Sequence, residues 1–327
     1  MLALQCLETG TLDNLTVGEV DDPVPGHGMV VVDIKAAAVN FVDALSVLGK
    51  YQIQFPAPFI PGIDIAGVVS AVGPDCDRFV IGDRVHGMTL LGGFAERAAV
   101  PATLLRHTPN GLPFELACTT GTTYRTAFDA LTSVADLRPG EDLVILGAGG
   151  AVGTAAIGVG KALGARVIAC AANDEKLAFC RKLGADETID YAATNLKDEI
   201  KRLCPNGAGV VLDVIGGDLS ELALRATGYG GRFVVVGFAS GTIPRVPLNI
   251  ILLKGSKIVG YEIADFERRH PREAETNRDT LEGWIAEGAI QPPIEARYRL
   301  DDAAEAVRRA ASRTKFGITI IDNTSAS

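Results

Sequence analysis

Gly147, Gly149, Gly150 and Gly153 crowd into LVILGAGGAVG, between an apolar run that suits a buried parallel strand and an Ala-rich stretch that suits a helix. Residues without Cβ atoms let a backbone approach a pyrophosphate closely. The free amides and positive end of the helix, starting at Ala151 and Val152, would supply the attraction. The spacing through Gly147, Gly150 and Gly153 is G-x-x-G-x-x-G, one residue longer than the usual dinucleotide fingerprint. A tight, ligand-free strand-to-helix turn is therefore the competing reading. A second apolar strand, ARVIAC, completes a βαβ unit and favours the nucleotide.

The tip of that second strand reads Cys170-Ala171-Ala172-Asn173, with no carboxylate to grip ribose hydroxyls. Asn173 can hydrogen-bond a phosphate, and Lys176, one turn further on, can offer it an ammonium. The expected cofactor is NADPH. Asp174 and Glu175 weaken the local positive field, so NADH stands as the alternative and Lys176 as an ordinary solvated helix residue. Further along, Gly237, Phe238 and Ala239 follow a predicted fifth strand, at the carboxyl edge where ligands bind in open α/β sheets.

These residues need elements to hold them. Residues 1–100 are rich in short β-prone runs bounded by Gly, Pro and Asp, which predicts a barrel-like lobe. Residues 113–131 predict a helical connection. Strands are then expected at 142–147, 166–170, 187–190, 209–215, 232–237 and 257–261, separated by helices, and together they make a doubly wound α/β sheet. A strand at 316–321 would rejoin the first lobe, so the nucleotide domain is inserted. The domains predicted are 1–118 with 264–327, and 119–263.

Composition sets the class. The chain has 327 residues, 47% of them apolar, enough for two cores. A net charge of -9 with no basic block argues against nucleic acid or an anionic membrane as partner. Six cysteines lack C-x-x-C spacing, which predicts reduced thiols and a cytoplasmic location. The opening MLALQCLETGTLD is acidic and is not read as a secretory signal.

Taken in order, AAVNFVDALSVLGKYQ, FIPGIDIAGVVSAVG, FVIGDRVHG, the glycine turn, KLGADETIDY, GRFVVVGFASGTIPRVPLNIILLKGSKIVG and ASRTKFGITI resemble the medium-chain dehydrogenase/reductase superfamily. Among its branches they are similar to the zinc-free NADPH:quinone oxidoreductases. The resemblance spans nearly the whole chain and implies a Rossmann domain inserted into a GroES-like β-rich barrel. It implies hydride transfer from NADPH to a quinone or an electron-poor double bond, and a homodimer paired through the edges of the cofactor sheets. Tyr191 and Arg313 would join Lys176 around the 2′-phosphate. Asn249 is read equally as a cofactor or subunit contact and as a turn cap.

Zinc-dependent relatives place a cysteine where this chain has Asn40, and a histidine where it has Ile63, followed by Asp64. Neither Asn nor Ile completes a zinc ligand set, so no metal is expected. Tyr51, in GKYQ, matches a tyrosine that related reductases bring to the active site. It would donate a proton to an enolate, against the plainer reading of an aromatic packed under a loop. Asn40 would orient a substrate carbonyl or the ribose, and Asp43 would brace that loop. Tyr124-Arg125-Thr126 matches a substrate-pocket Tyr-Gly-Thr element, with arginine replacing glycine. Arg125 is read first as solvent-facing, and second as directed at an anionic acceptor. Two other functions stay open: an enoyl-CoA or acrylate-type reductase, and a non-catalytic NADPH-binding structural or sensor protein.

Overall fold

The long apolar runs become strands wherever both faces of a sheet are covered, and the Gly-rich segments become the turns between them. The computed structural model describes residues 1–312 and 314–324. It divides into two units, Met1–Thr122 with the chain from Pro292 onward, and Thr123–Gln291.

In the first unit β1 (Leu2–Cys6) and β2 (Leu15–Glu19) form an antiparallel pair. The main sheet holds β3 (Met29–Val39), β4 (Asp64–Val72), β5 (Arg84–Met88), β6 (Arg97–Pro101) and β7 (Leu105–His107). Register breaks between β3 and β4, at Val31/Val32 and Ile34/Ala36, bend the long third strand. Leu4, Ile34, Val69, Phe94 and Leu105 fill the core beneath it.

The second unit is built on β8 (Asp142–Leu146), β9 (Arg166–Ala171), β10 (Glu187–Asp190), β11 (Ala208–Asp213), β12 (Thr227–Val235) and β13 (Lys257–Gly260). All pair in parallel, in the order β10-β9-β8-β11-β12-β13. Strand order reverses beside β8, so the loop after it opens at a topological switch point. All six expected strands are present. β11 stops at Asp213, two residues early, because the Asp213 carboxylate accepts the Ile215 and Gly216 amides at 2.8 and 2.9 Å and turns the chain out of the sheet. β12 begins at Thr227, five residues before the expected start, paired with Ala208.

The predicted helical connection is divided: helix Arg125–Asp129 lies between wide π turns, Thr120–Tyr124 and Ala130–Val134. β14 (Ile294–Tyr298) and β15 (Ile318–Asp322) return the chain to the first sheet, where β15 runs antiparallel to β3. The return to the first lobe was expected at 264. Contacts put helix Pro271–Ala286 in the second unit instead, where Trp284 packs edge-on to Phe128 at 5.4 Å and Leu281 and Ile285 are buried.

Candidate functional site

In the second unit, two of the four turn glycines are required by the protein itself. Gly147 has φ +74°, a conformation that disfavours any side chain. A Cβ on Gly153 would lie 2.3 Å from the Gly147 carbonyl oxygen, so only glycine lets helix Ala151–Ala162 start this close to the turn. Gly150 is different: a Cβ there would meet nothing nearer than 3.5 Å, and the residue stands at the helix N-cap. The turn thus presents an open backbone and the unpaired first amides of a helix, from Ala151, Val152 and Gly153.

Lys176 lies across this turn. A Cβ on Gly149 would sit 3.1 Å from the Lys176 Cβ, Cγ and Cδ atoms, so the bare glycine accommodates the lysine stem. Burial holds the Lys176 ammonium below its ordinary pKa. Asn173 is the N-cap of helix Asp174–Lys182, its side-chain oxygen accepting the Lys176 amide at 2.9 Å. Tyr191 follows β10, half-buried, its amide donating to the Ala171 carbonyl at 3.2 Å. Gly237 and Ala239 donate their amides to the Asp213 and Val214 carbonyls, which fixes the loop after β12, and Phe238 is 40% exposed. Asn249 is the exposed first residue of helix Asn249–Lys254, whose cap position is Leu248. Arg313 lies outside the described residues.

In the first unit, Asn40 and Asp43 come together in a buried polar knot. Asn40 follows β3 and caps helix Phe41–Val47 in a reciprocal box: its side chain faces the Asp43 amide, and Asp43 Oδ2 accepts the Asn40 amide at 2.7 Å. Asn40 Nδ2 donates to Asp64 Oδ2 at 2.9 Å. Asp64 is fully buried and also accepts the Thr122 amide, at 2.9 Å on Oδ2 and 3.1 Å on Oδ1, and the Thr122 hydroxyl at 3.1 Å. Burial pushes the Asp43 carboxyl up to about 8, the Asp64 charge adds to the rise, and the Asn40 and Ile63 amides and Lys315 oppose it. Tyr51 sits half-buried in the loop after the same helix.

Arg125 corrects an expectation. It does not face solvent: its side chain is 4% exposed, with Nη1 3.1 Å from Glu267 and Nε 3.5 Å from Asp129. Asp129 is in turn held by the Tyr261 hydroxyl and the Asn277 carboxamide, each at 2.8 Å. Asp129 from the same helix and Glu267 from the later helix Ile263–Arg269 stabilise the buried guanidinium. Tyr124 and Thr126 are buried beside it, Tyr124 with its hydroxyl towards Gly158 in helix Ala151–Ala162.

Asp64, Thr122 and Lys315 join the polar knot without having been expected there. Asp64 carried one signal, a lone carboxylate inside the apolar run IPGIDIAGVV. Thr122 and the buried Lys315 carried none.

Comparison with known proteins agrees with this architecture. Residues 26–110 match the alcohol dehydrogenase GroES-like domain, and residues 151–275 match the zinc-binding dehydrogenase domain. The quinone oxidoreductase-like protein 2 homolog of Nematostella vectensis is 35% identical over 301 residues, covering 91% of this chain and 82% of its own. The quinone oxidoreductase of Pseudomonas aeruginosa is 34% identical over 306 residues, covering 91% of this chain and 92% of its own. Among solved structures, the Escherichia coli quinone oxidoreductase complexed with NADPH superposes with a TM-score of 0.90 at 26% identity, covering 98% of this chain and 100% of that one.

Proposed function

The chain belongs to the medium-chain dehydrogenase/reductase family, in its quinone oxidoreductase-like branch, and on that premise we propose that it reduces quinones or activated alkenes with NADPH and without a metal ion. The observation that carries this reading is Lys176 laid across the open glycine turn, which joins a backbone cradle for a pyrophosphate to a cation for a further phosphate.

Bound NADPH would supply the hydride. The amides of Ala151, Val152 and Gly153 would hold its pyrophosphate, Lys176 and Tyr191 its 2′-phosphate, and the loop at Gly237, Phe238 and Ala239 would flank the nicotinamide. Tyr51 would place its hydroxyl near the acceptor. For an alkene it donates a proton where negative charge collects, whereas a hydroquinone draws protons from water. Asn40 and Asp43 act by fixing the head of the helix that leads into the Tyr51 loop.

The residues do not fit zinc. Asn40 spends its carboxamide on Asp64, Ile63 has no donor atom, and burial keeps the Cys118 thiol well above its ordinary pKa, away from the thiolate that a metal needs. Among the described residues no group of three or more His, Cys, Asp or Glu side chains is arranged to hold a metal ion. Nor is any described helix long and apolar enough to cross a membrane.

The test is NADPH oxidation with 1,4-benzoquinone, 9,10-phenanthrenequinone and crotonyl-CoA, in parent and Tyr51→Phe. Quinone turnover that survives the substitution, with alkene turnover lost, supports both roles. No calorimetric heat with NADPH, or no turnover of any acceptor, overturns the reading.

A further inference from the structure

Asp64 gathers donors from separate segments. Its Oδ2 takes the Asn40 carboxamide from the head of helix Phe41–Val47, and its two oxygens share the amide and hydroxyl of Thr122 in the Thr120–Tyr124 turn. Its backbone is meanwhile fixed in β4, opposite Ala38 and Met88. The carboxylate occupies space that another residue at 121 would fill, since a Cβ on Gly121 would lie 2.2 Å from Asp64 Oδ1. Wide π turns depart from the ordinary helical hydrogen-bond pattern, and a fixed acceptor supplies what the turn leaves unpaired. In a dry interior such charge-assisted bonds are strong and orient their partners.

We propose that Asp64 is a positioning residue of the reductase: it locks the Asn40 helix head and the Thr122 turn to β4, and so sets the placement of the Tyr51 loop for hydride acceptance. The inference rests on the functional reading above. Hydride transfer tolerates little displacement of the reacting groups, so loosening this anchor should lower kcat while leaving cofactor affinity intact.

Asp64→Asn turns one acceptor into a donor that faces the Asn40 amide group. The reciprocal pair Asn40→Asp with Asp64→Asn restores a donor and an acceptor between the two positions, while the carboxamide oxygen introduced at position 64 still accepts from Thr122. The single variant should lose about tenfold to a hundredfold in kcat for quinone, with the calorimetric Kd for NADPH within about twofold of the parent, and the reciprocal pair should recover most of the loss. Asp64→Ala should also speed hydrogen exchange at the Thr122 amide. A single variant with parental kcat, or a reciprocal pair that regains Tm but not kcat, overturns the proposal. Should the parent reduce no acceptor, the functional reading fails, and the proposed placement role fails with it. The exchange experiment then decides separately whether Asp64 holds Thr122, and unchanged exchange would overturn that anchor too.

Discussion

Arg125 Nη1 donates to Glu267 Oε2 at 3.1 Å, joining residues 142 positions apart within the second unit. Around this contact Asp129 binds Arg125, Tyr261 and Asn277, and Glu267 also binds Arg278. Burial raises the Asp129 pKa, and the Asn277, Tyr261 and Arg125 contacts offset part of that rise. Removing the guanidinium leaves a buried carboxylate short of its counter-charge. Arg125→Leu should therefore cost about 3 kcal/mol in urea unfolding, with most of the loss traced to Asp129 because Glu267 stays partly in water. A double variant with Asp129→Asn should cost less than the sum of the two single variants.

Stability should fall as pH rises towards about 8, because the Asp43 carboxyl, ordinarily near 3.8, is pushed up to about 8 by burial. Across this window the folded protein keeps a proton that the unfolded chain has lost. The raised value thus contributes stability at low pH that is lost as pH climbs to the folded pKa. Asp43→Asn copies the protonated form. Relative to the parent its unfolding free energy should gain steadily between about pH 5 and about pH 8, measured by denaturant titration. A parent that gains on the variant over that range contradicts the assignment.

Lys176→Met should weaken NADPH about tenfold and NADH little, since only the former carries the extra phosphate that an ammonium can pair. Gly149→Ala should give a similar selective loss, because the new methyl would come within 3.1 Å of the lysine stem and displace it. Equal losses for both cofactors would place the lysine elsewhere. Calorimetry with each nucleotide reads the difference directly.

Among the described residues edge strand β13 pairs with β12 alone, and Ile258 in it, Tyr229 in β12 and Leu248, Leu252 and Leu253 in the segment leading to it expose apolar side chains. A second copy of the chain would cover both the open strand and this surface, in line with the homodimer expected from the sequence. Leu252→Asp with Leu253→Asp should give a monomer by light scattering. A parent that is itself monomeric at micromolar concentration removes the premise.

The glycine turn was readable because its demands are local. A positive φ at Gly147 and the close approach at Gly153 can be met by one residue type alone, and the flanking apolar runs announce the strands. The position of Lys176 against that turn follows from its fixed distance beyond a strand tip, while its role towards a cofactor is a proposal. Asp64 and Arg125 were harder. Each is charged, and a charged residue in a sequence is by default placed in water.

Local order in the chain therefore determined the six parallel strands, their helices and the glycine turn between the first strand and its helix, since periodicity and glycine act over a few residues. Only the tertiary structure decided which charges leave water. A carboxylate or guanidinium is stable in a dry interior when donors or counter-charges surround it, and here those come from 24 residues away for Asn40 and Asp64, 58 for Asp64 and Thr122, and 142 for Arg125 and Glu267. No window of sequence holds both halves of such a pair, so the folded chain alone brings them within bonding distance.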